Sequence, residues 1–151
     1  MDTLVLKGKP VSSKIKEDIA LKITKLDSKG IIPSLAVVIV GDNPASRLYV
    51  NSKAKAFKAL NCYSEIFEFP ANVEQAELLK HIDFLNQNDK FHGILVQLPL
   101  PDHLNESQIL EQIKPEKDVD GFHPQNQGYI MQGNPKFIPC TPLGCLEILK
   151  Y

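Results

Sequence analysis

Gly93-Ile94-Leu95-Val96-Gln97-Leu98-Pro99-Leu100-Pro101 is the stretch on which the fold turns. A short run of Ile, Leu and Val, opened by glycine and closed by proline, reads as a strand buried on both faces. The prolines offer no N–H to a ladder, so the strand ends at or near Gln97. A buried primary amide has up to four hydrogen bonds to make, and each one left unmade costs about 1–3 kcal/mol. Open α/β sheets bind ligands outside the carboxyl ends of their strands. Gln97 is therefore a candidate site residue.

Upstream, Leu35-Ala36-Val37-Val38-Ile39-Val40 reads as a second buried strand, stopped by Gly41-Asp42-Asn43-Pro44. Tyr63 to Phe69 is β-rich and ends at Pro70. Helices are predicted between these runs. Ile15, Ile19, Ile23 and Leu26 recur at helical spacing with Gly30 as C-terminal cap. Ser46 to Leu60 follows the first strand, and Asn61 suits the left-handed cap. Asn72-Val73-Glu74-Gln75 resembles a capping box, opening a helix that carries Leu79, Ile82 and Leu85 to the core. A short helix is expected near Ile109, Leu110 and Ile113.

Strands alternating with helices predict an α/β fold with a mainly parallel sheet flanked by helices. From Pro115 to Pro142 the punctuation by proline and glycine predicts a long loop region, the kind that carries function. Thr141-Pro142 reads as the start of a last helix, with Leu143, Leu146, Ile148 and Leu149 along it. Apolar side chains are still arriving at Tyr151, and the expectation is that the natural chain continues.

Composition narrows the function classes. At 151 residues the chain suffices for one domain with a real core. A net charge of −1 argues against a nucleic-acid partner, which normally meets a basic face. Lys53, Lys55 and Lys58 cluster locally, which reads first as a solvated helix face and second as a contact for a small anion. Cys62, Cys140 and Cys145 are odd in number and lack C-x-x-C spacing, as expected for reduced thiols in the cytoplasm. Met1 to Lys7 shows no basic region followed by an apolar signal core, and no apolar run is long enough to span a membrane.

Tyr49 and Lys53 are four apart, so a helix sets them on one face. A lysine acting as acid or base near neutrality must move from ~10.4 to ~7–8, about 3–5 kcal/mol of environmental effect. Gln97 would orient a neutral amine without favouring the ammonium as a carboxylate does. Tyr-x-x-x-Lys is also the pair of short-chain dehydrogenases, but there a Gly-rich loop precedes it, and none does here.

Lys117-Asp118-Val119-Asp120-Gly121-Phe122-His123-Pro124 offers two carboxylates, read equally as ligand contacts or turn formers. Its glycine stands one residue after the second Asp, which excludes an EF-hand loop. His81, His92, His103 and His123 lack paired metal spacing, so no metal site is expected.

Five blocks in order resemble one family: Pro44-Ala45-Ser46, Tyr49 to Lys55, Gly93 to Pro101, Lys117 to Pro124, and Pro139-Cys140-Thr141-Pro142. It is the bifunctional methylenetetrahydrofolate dehydrogenase/methenyltetrahydrofolate cyclohydrolase family, and the resemblance is to its N-terminal catalytic domain. The resemblance implies a folate-binding catalytic domain over 1–140 and the start of an interdomain helix over 141–151. The resemblance further implies a C-terminal Rossmann partner domain, which would bind the dinucleotide and lies outside these 151 residues.

The implied activity is oxidation of methylenetetrahydrofolate with NADP, then hydrolysis of the methenyl product to formyltetrahydrofolate. Tetrahydrofolate is the substrate carrier, and a nicotinamide-binding residue is implied nowhere in this chain. Lys53 is implied as the catalytic lysine of the hydrolytic step, with Gln97 holding it in its working state. Tyr49 would lie against the folate, Asp120 would hydrogen-bond the pterin, and Ser46 would support the lysine.

The resemblance further implies a homodimer for the full-length enzyme, through the cofactor domain, and a monomer for this portion. It invites a cis Leu98-Pro99 bond as well. Asn61-Cys62 departs from the family, which commonly has glycine there. The alternative expectation is an inactive portion of such an enzyme with weak folate binding; a non-enzymatic folate-binding module is a third.

Overall fold

The structure is a computed structural model that describes residues 5–151; Met1 to Leu4 of the segment read for a signal lie outside them. Helix α1 spans Gly8–Asp27, strand β1 Ser34–Val40, helix α2 Pro44–Ala59 and strand β2 Tyr63–Phe69. Helix α3 covers Gln75–Gln87 and strand β3 Gly93–Val96. The chain closes with α4 (Glu106–Gln112), α5 (Pro124–Met131) and α6 (Cys140–Lys150).

The three strands form one parallel sheet in the order β2-β1-β3, as the alternation of strands and helices requires. Every residue of central β1 is buried, because both faces are covered. Its odd positions, Leu35, Val37 and Ile39, pack with Val50, Leu95 and the partly buried Phe57 under α2. Its even positions, Ala36, Val38 and Val40, join Leu78, Ile82, Leu85, Phe91, Ile94, Val96 and Ile109 under α3 and α4. Two cores thus share one strand, and period-two alternation decides which side chain serves which.

Caps explain several ends. Asn43 Oδ1 accepts from the amides of Ala45 and Ser46, and Pro44 opens α2. Asn61 lies at φ 57°, the left-handed position expected of it. The peptide bond Leu98-Pro99 is cis.

Four expectations need correction. The Asn72 capping box does not form: α3 starts at Gln75 after Glu74, with no side-chain cap. Gln75 is drawn away instead, accepting from Asn105 N at 2.7 Å and donating to Gln108 Oε1 at 2.6 Å, so it fastens α3 to α4. Leu78, not Leu79, sits fully buried on α3, while Leu79 is only packed against the core margin. Helix α6 begins at Cys140 after Pro139, not at Thr141, and has no side-chain cap. The Pro115–Pro142 region, expected to be loop, contains α5, capped by His123 Nδ1 accepting from Gln125 N.

Candidate active site

Alternation along β3 continues one step past the strand. Leu95 points to the α2 side, so Gln97 does too, and its backbone N–H still bonds Val38 O at 2.8 Å. On α2, Tyr49, Lys53 and Phe57 recur at four-residue spacing and form one stripe facing the same side. Between strand end and helix lies a cavity of about 630 Å³. Leu35, Phe57, Leu95 and Val119 make its apolar floor, and Tyr49, Lys53, Gln97 and Asp120 supply polar groups. Phe122 and the segment Pro139 to Pro142 complete the lining.

Within it, Lys53 Nζ donates to Gln97 Oε1 at 3.2 Å. Gln97 is oriented by its other end, Nε2 donating to Leu98 O at 2.7 Å. The amide is half-buried, and it presents its oxygen to the lysine. Burial lifts the Asp120 carboxyl above the ordinary carboxylate range; the Lys53 charge opposes the shift and Asp118 adds to it. Burial likewise pushes the Cys140 thiol up, reinforced by Asp120 and opposed by Lys53. Lys53, Asp120 and Cys140 therefore share one electrostatic neighbourhood.

The loop after β3 explains how Asp120 arrives there. Asp118 bridges to Ile94 as if extending the sheet, and Ile94 N donates to Lys117 O at 2.7 Å. Asp118 itself is 2% exposed, its Oδ2 accepting from His123 N at 2.9 Å and Asn126 Nδ2 at 2.8 Å. Of the two carboxylates, Asp118 ties the loop and Asp120 faces the cavity. Gly121 at φ 69° makes the turn, and a Cβ there would meet Pro139 Cδ at 3.2 Å. That close approach sets the Pro139–Pro142 segment against Asp120.

Tyr49, Lys53, Gln97 and Asp120 thus come together around one cavity, although Tyr49 remains 65% exposed. Ser46 does not join them: it is buried in the first turn of α2, and among the described residues it makes no side-chain bond to Lys53. Phe57, Val119 and Phe122 were missed as liners because single apolar residues look alike in a sequence. Asn126 was missed because α5 was not expected.

The active-site candidate contains no group of three or more His, Cys, Asp or Glu placed to hold a metal, among the described residues. The turn after β1 does not fit a dinucleotide's phosphates: it holds a single glycine, and Asn43 already occupies the first amides of α2.

Residues 6–120 match the family described as tetrahydrofolate dehydrogenase/cyclohydrolase, catalytic domain. The chain is 47% identical over 150 residues to the bifunctional protein FolD of Bacillus cytotoxicus, covering 99% of this chain and 52% of that protein. The FolD methylenetetrahydrofolate dehydrogenase/cyclohydrolase structure from Campylobacter jejuni superposes with a TM-score of 0.94 at 53% identity, over 97% of this chain and 52% of that one. The Trypanosoma brucei FolD structure, complexed with NADP cofactor and inhibitor, gives 0.93 at 36% identity, over 99% of this chain and 52% of that one. The chain spans about half the length of these relatives. With that match over most of its length, and a sheet, strand-end amide and helix-borne lysine of the expected kind, the chain belongs to the tetrahydrofolate dehydrogenase/cyclohydrolase family.

Proposed function

We propose that this chain forms the folate-binding catalytic part of a methylenetetrahydrofolate dehydrogenase/methenyltetrahydrofolate cyclohydrolase. The observation that carries the reading is the Lys53–Gln97 hydrogen bond of 3.2 Å inside a cavity shared with Asp120. In this reading residues 1–140 are the folate-binding domain and 141–151 begin the helix toward a dinucleotide-binding domain. NADP would be held there; it supplies hydride acceptance in the oxidative half. A homodimer of the longer polypeptide is part of the same proposal. Three free thiols, Cys62, Cys140 and Cys145, support a reducing, cytoplasmic setting.

The hydrolytic half falls to this chain's own side chains. Water adds to the methenyl carbon, forming a C–O bond, and loses a proton to Lys53 directly or through a second water. As the C–N bond breaks, the departing nitrogen takes a proton, and the formyl product remains on the other nitrogen. Gln97 Oε1 keeps the lysine nitrogen aimed at that carbon, and its neutral amide does so without the pull a carboxylate exerts on an ammonium. Tyr49 would lie against the folate, and the Asp120 carboxylate would accept hydrogen bonds from the pterin. Ser46, buried two turns before Lys53, would support the helix that carries it.

The test is Lys53→Ala in the full natural polypeptide, read as loss of methenyl absorbance. Hydrolysis should fall by about 10²–10⁴, the range of a positioned acid–base group. Hydrolysis at the original rate would overturn the role.

A second reading is favoured by one observation: Tyr49 is 65% exposed, so the cavity lacks a wall on that side. A chain of these residues alone would then bind folate weakly and catalyse nothing. Intact mass from the native source separates the two. A mass about twice that of this chain supports the bifunctional reading, and a mass equal to it supports the second.

A further inference from the structure

We propose that Asn126 is a positioning residue that acts through Asp118 to hold Asp120 in the cavity wall. The inference rests on reading the cavity as a reduced-folate site.

Asn126 is fully buried on α5 and does not line the cavity. Its Nδ2 donates to Pro115 O at 2.9 Å and to Asp118 Oδ2 at 2.8 Å, so both amide protons are committed. Its Oδ1 is buried with no partner among the described residues. An amide carbonyl left unpaired in a core is unfavourable, and an aliphatic side chain of similar volume would avoid it. Packing alone therefore does not account for an asparagine here. What distinguishes it from leucine is the pair of donors, and one of them goes to a buried carboxylate.

That carboxylate closes a loop. Asp118 is anchored to β3 through the Ile94 bridge, and its Oδ2 also takes the His123 amide at 2.9 Å. Both ends of the 118–123 segment thus converge on one oxygen, and Val119, Asp120 and Phe122 project from it into the cavity lining. Asn126 fixes where that oxygen sits relative to Pro115. With Asn126 gone, the Asp118 Oδ2 keeps one backbone donor, and three liners move with it. Lys53 and Gln97 sit on other elements and keep their own bond. The expected consequence is a binding defect with little change in the chemical step.

The experiment uses the full-length polypeptide with 5-formyltetrahydrofolate as the binding probe, alongside steady-state methenyl hydrolysis. Asn126→Ala, Asp118→Asn, Asp120→Ala and the Asn126→Ala/Asp120→Ala pair are compared, with circular dichroism and thermal unfolding on each. Asn126→Ala should weaken probe binding and raise KM about tenfold, with kcat within about twofold. Asp118→Asn, which removes the charge at constant shape, should give a smaller loss in the same direction. In the Asp120→Ala background the Asn126 change should cost clearly less than in the wild type, because the polar group it positions is gone.

Additive losses, or unaltered affinity in a folded Asn126→Ala, would overturn the positioning role while leaving the folate site standing. Should Asn126→Ala fail to fold, Asp118→Asn carries the comparison; unfolding of both assigns the pair to folding and overturns the proposal. A wild-type protein that ignores the probe overturns the folate reading itself.

Discussion

Lys53 and Gln97 meet at 3.2 Å across 44 residues of sequence, and neither is remarkable in its own neighbourhood. What distinguishes Gln97 is that its oxygen, not its nitrogen, faces the lysine, because its nitrogen donates to Leu98 O. In the proposed full-length enzyme, Gln97→Leu should lower methenyl hydrolysis roughly tenfold to a hundredfold, the equivalent of one hydrogen bond of about 1.5–3 kcal/mol. Rates at constant enzyme concentration check it, and an unaltered kcat would remove Gln97 from the chemistry. Asp120 offers a pH handle. Its carboxyl titrates above the ordinary range, mainly through burial. If the ionised form accepts from the pterin, reduced-folate affinity is full well above that raised value and falls as pH drops through it. Asp120→Asn should flatten this dependence, as binding isotherms across acid to neutral pH would show.

Elements pack here with little tolerance at particular joints. Gly93 opens β3 where an added Cβ would come within 2.4 Å of Val119 Cγ1, and Val119 is part of the cavity floor. Gly93→Ala should cost about 1–3 kcal/mol in denaturant unfolding and, on the proposed function, weaken folate binding as well. Shortening the neighbour in a Gly93→Ala/Val119→Ala pair should recover part of the stability, and failure to do so would relocate the clash. On the opposite side of the same loop, Lys117 Nζ donates to Leu85 O and Asn88 O at 3.0 and 2.9 Å, closing the end of α3. This is how a long proline-punctuated stretch, legible only as loop, becomes ordered. Helix α5 within it reads Pro-Gln-Asn-Gln-Gly-Tyr-Ile-Met, without apolar periodicity. It exists because His123 caps it and Asn126 reaches a carboxylate eight residues earlier. A tertiary bond of that kind leaves no periodic trace. Conversely, the Asn72-to-Gln75 pattern looked like a cap and lost Gln75 to α4.

At the scale of the molecule, one sheet with a buried central strand carries two cores, and pH acts on the larger of them. His81 lies against Phe67 and Phe69 with ring centroids at 4.7 and 5.1 Å, and its Nε2 has no partner among the described residues. Burial holds its pKa below the ordinary histidine value. Below ~6.5 the unfolded chain therefore takes up the proton before the folded one does. Stability present above that value should decline as pH falls through it toward the lowered folded pKa, then level off below both. His81→Gln should flatten this limb in urea unfolding between mildly acidic and neutral pH; an unchanged slope would assign the limb to another group. The exposed apolar residues of the outer helices, Ile15 and Ile19 on α1 with Leu146 and Leu149 on α6, lie outside both cores. Longer relatives superpose over about half their length, and no helix among the described residues is long and apolar enough to cross a membrane.

The strands, most helices, the parallel sheet and the Tyr49–Lys53 face were determined by local pattern. Burial on two faces demands continuous apolar runs, and helical period sets residues four apart side by side. Those causes act between neighbours, so a sequence displays them directly. Which side of the sheet Gln97 meets, which of Asp118 and Asp120 faces the cavity, and why an asparagine sits buried on α5 were decided only by the tertiary structure. Each depends on a hydrogen bond or a close approach between segments far apart along the chain, and such pairings have no period to read.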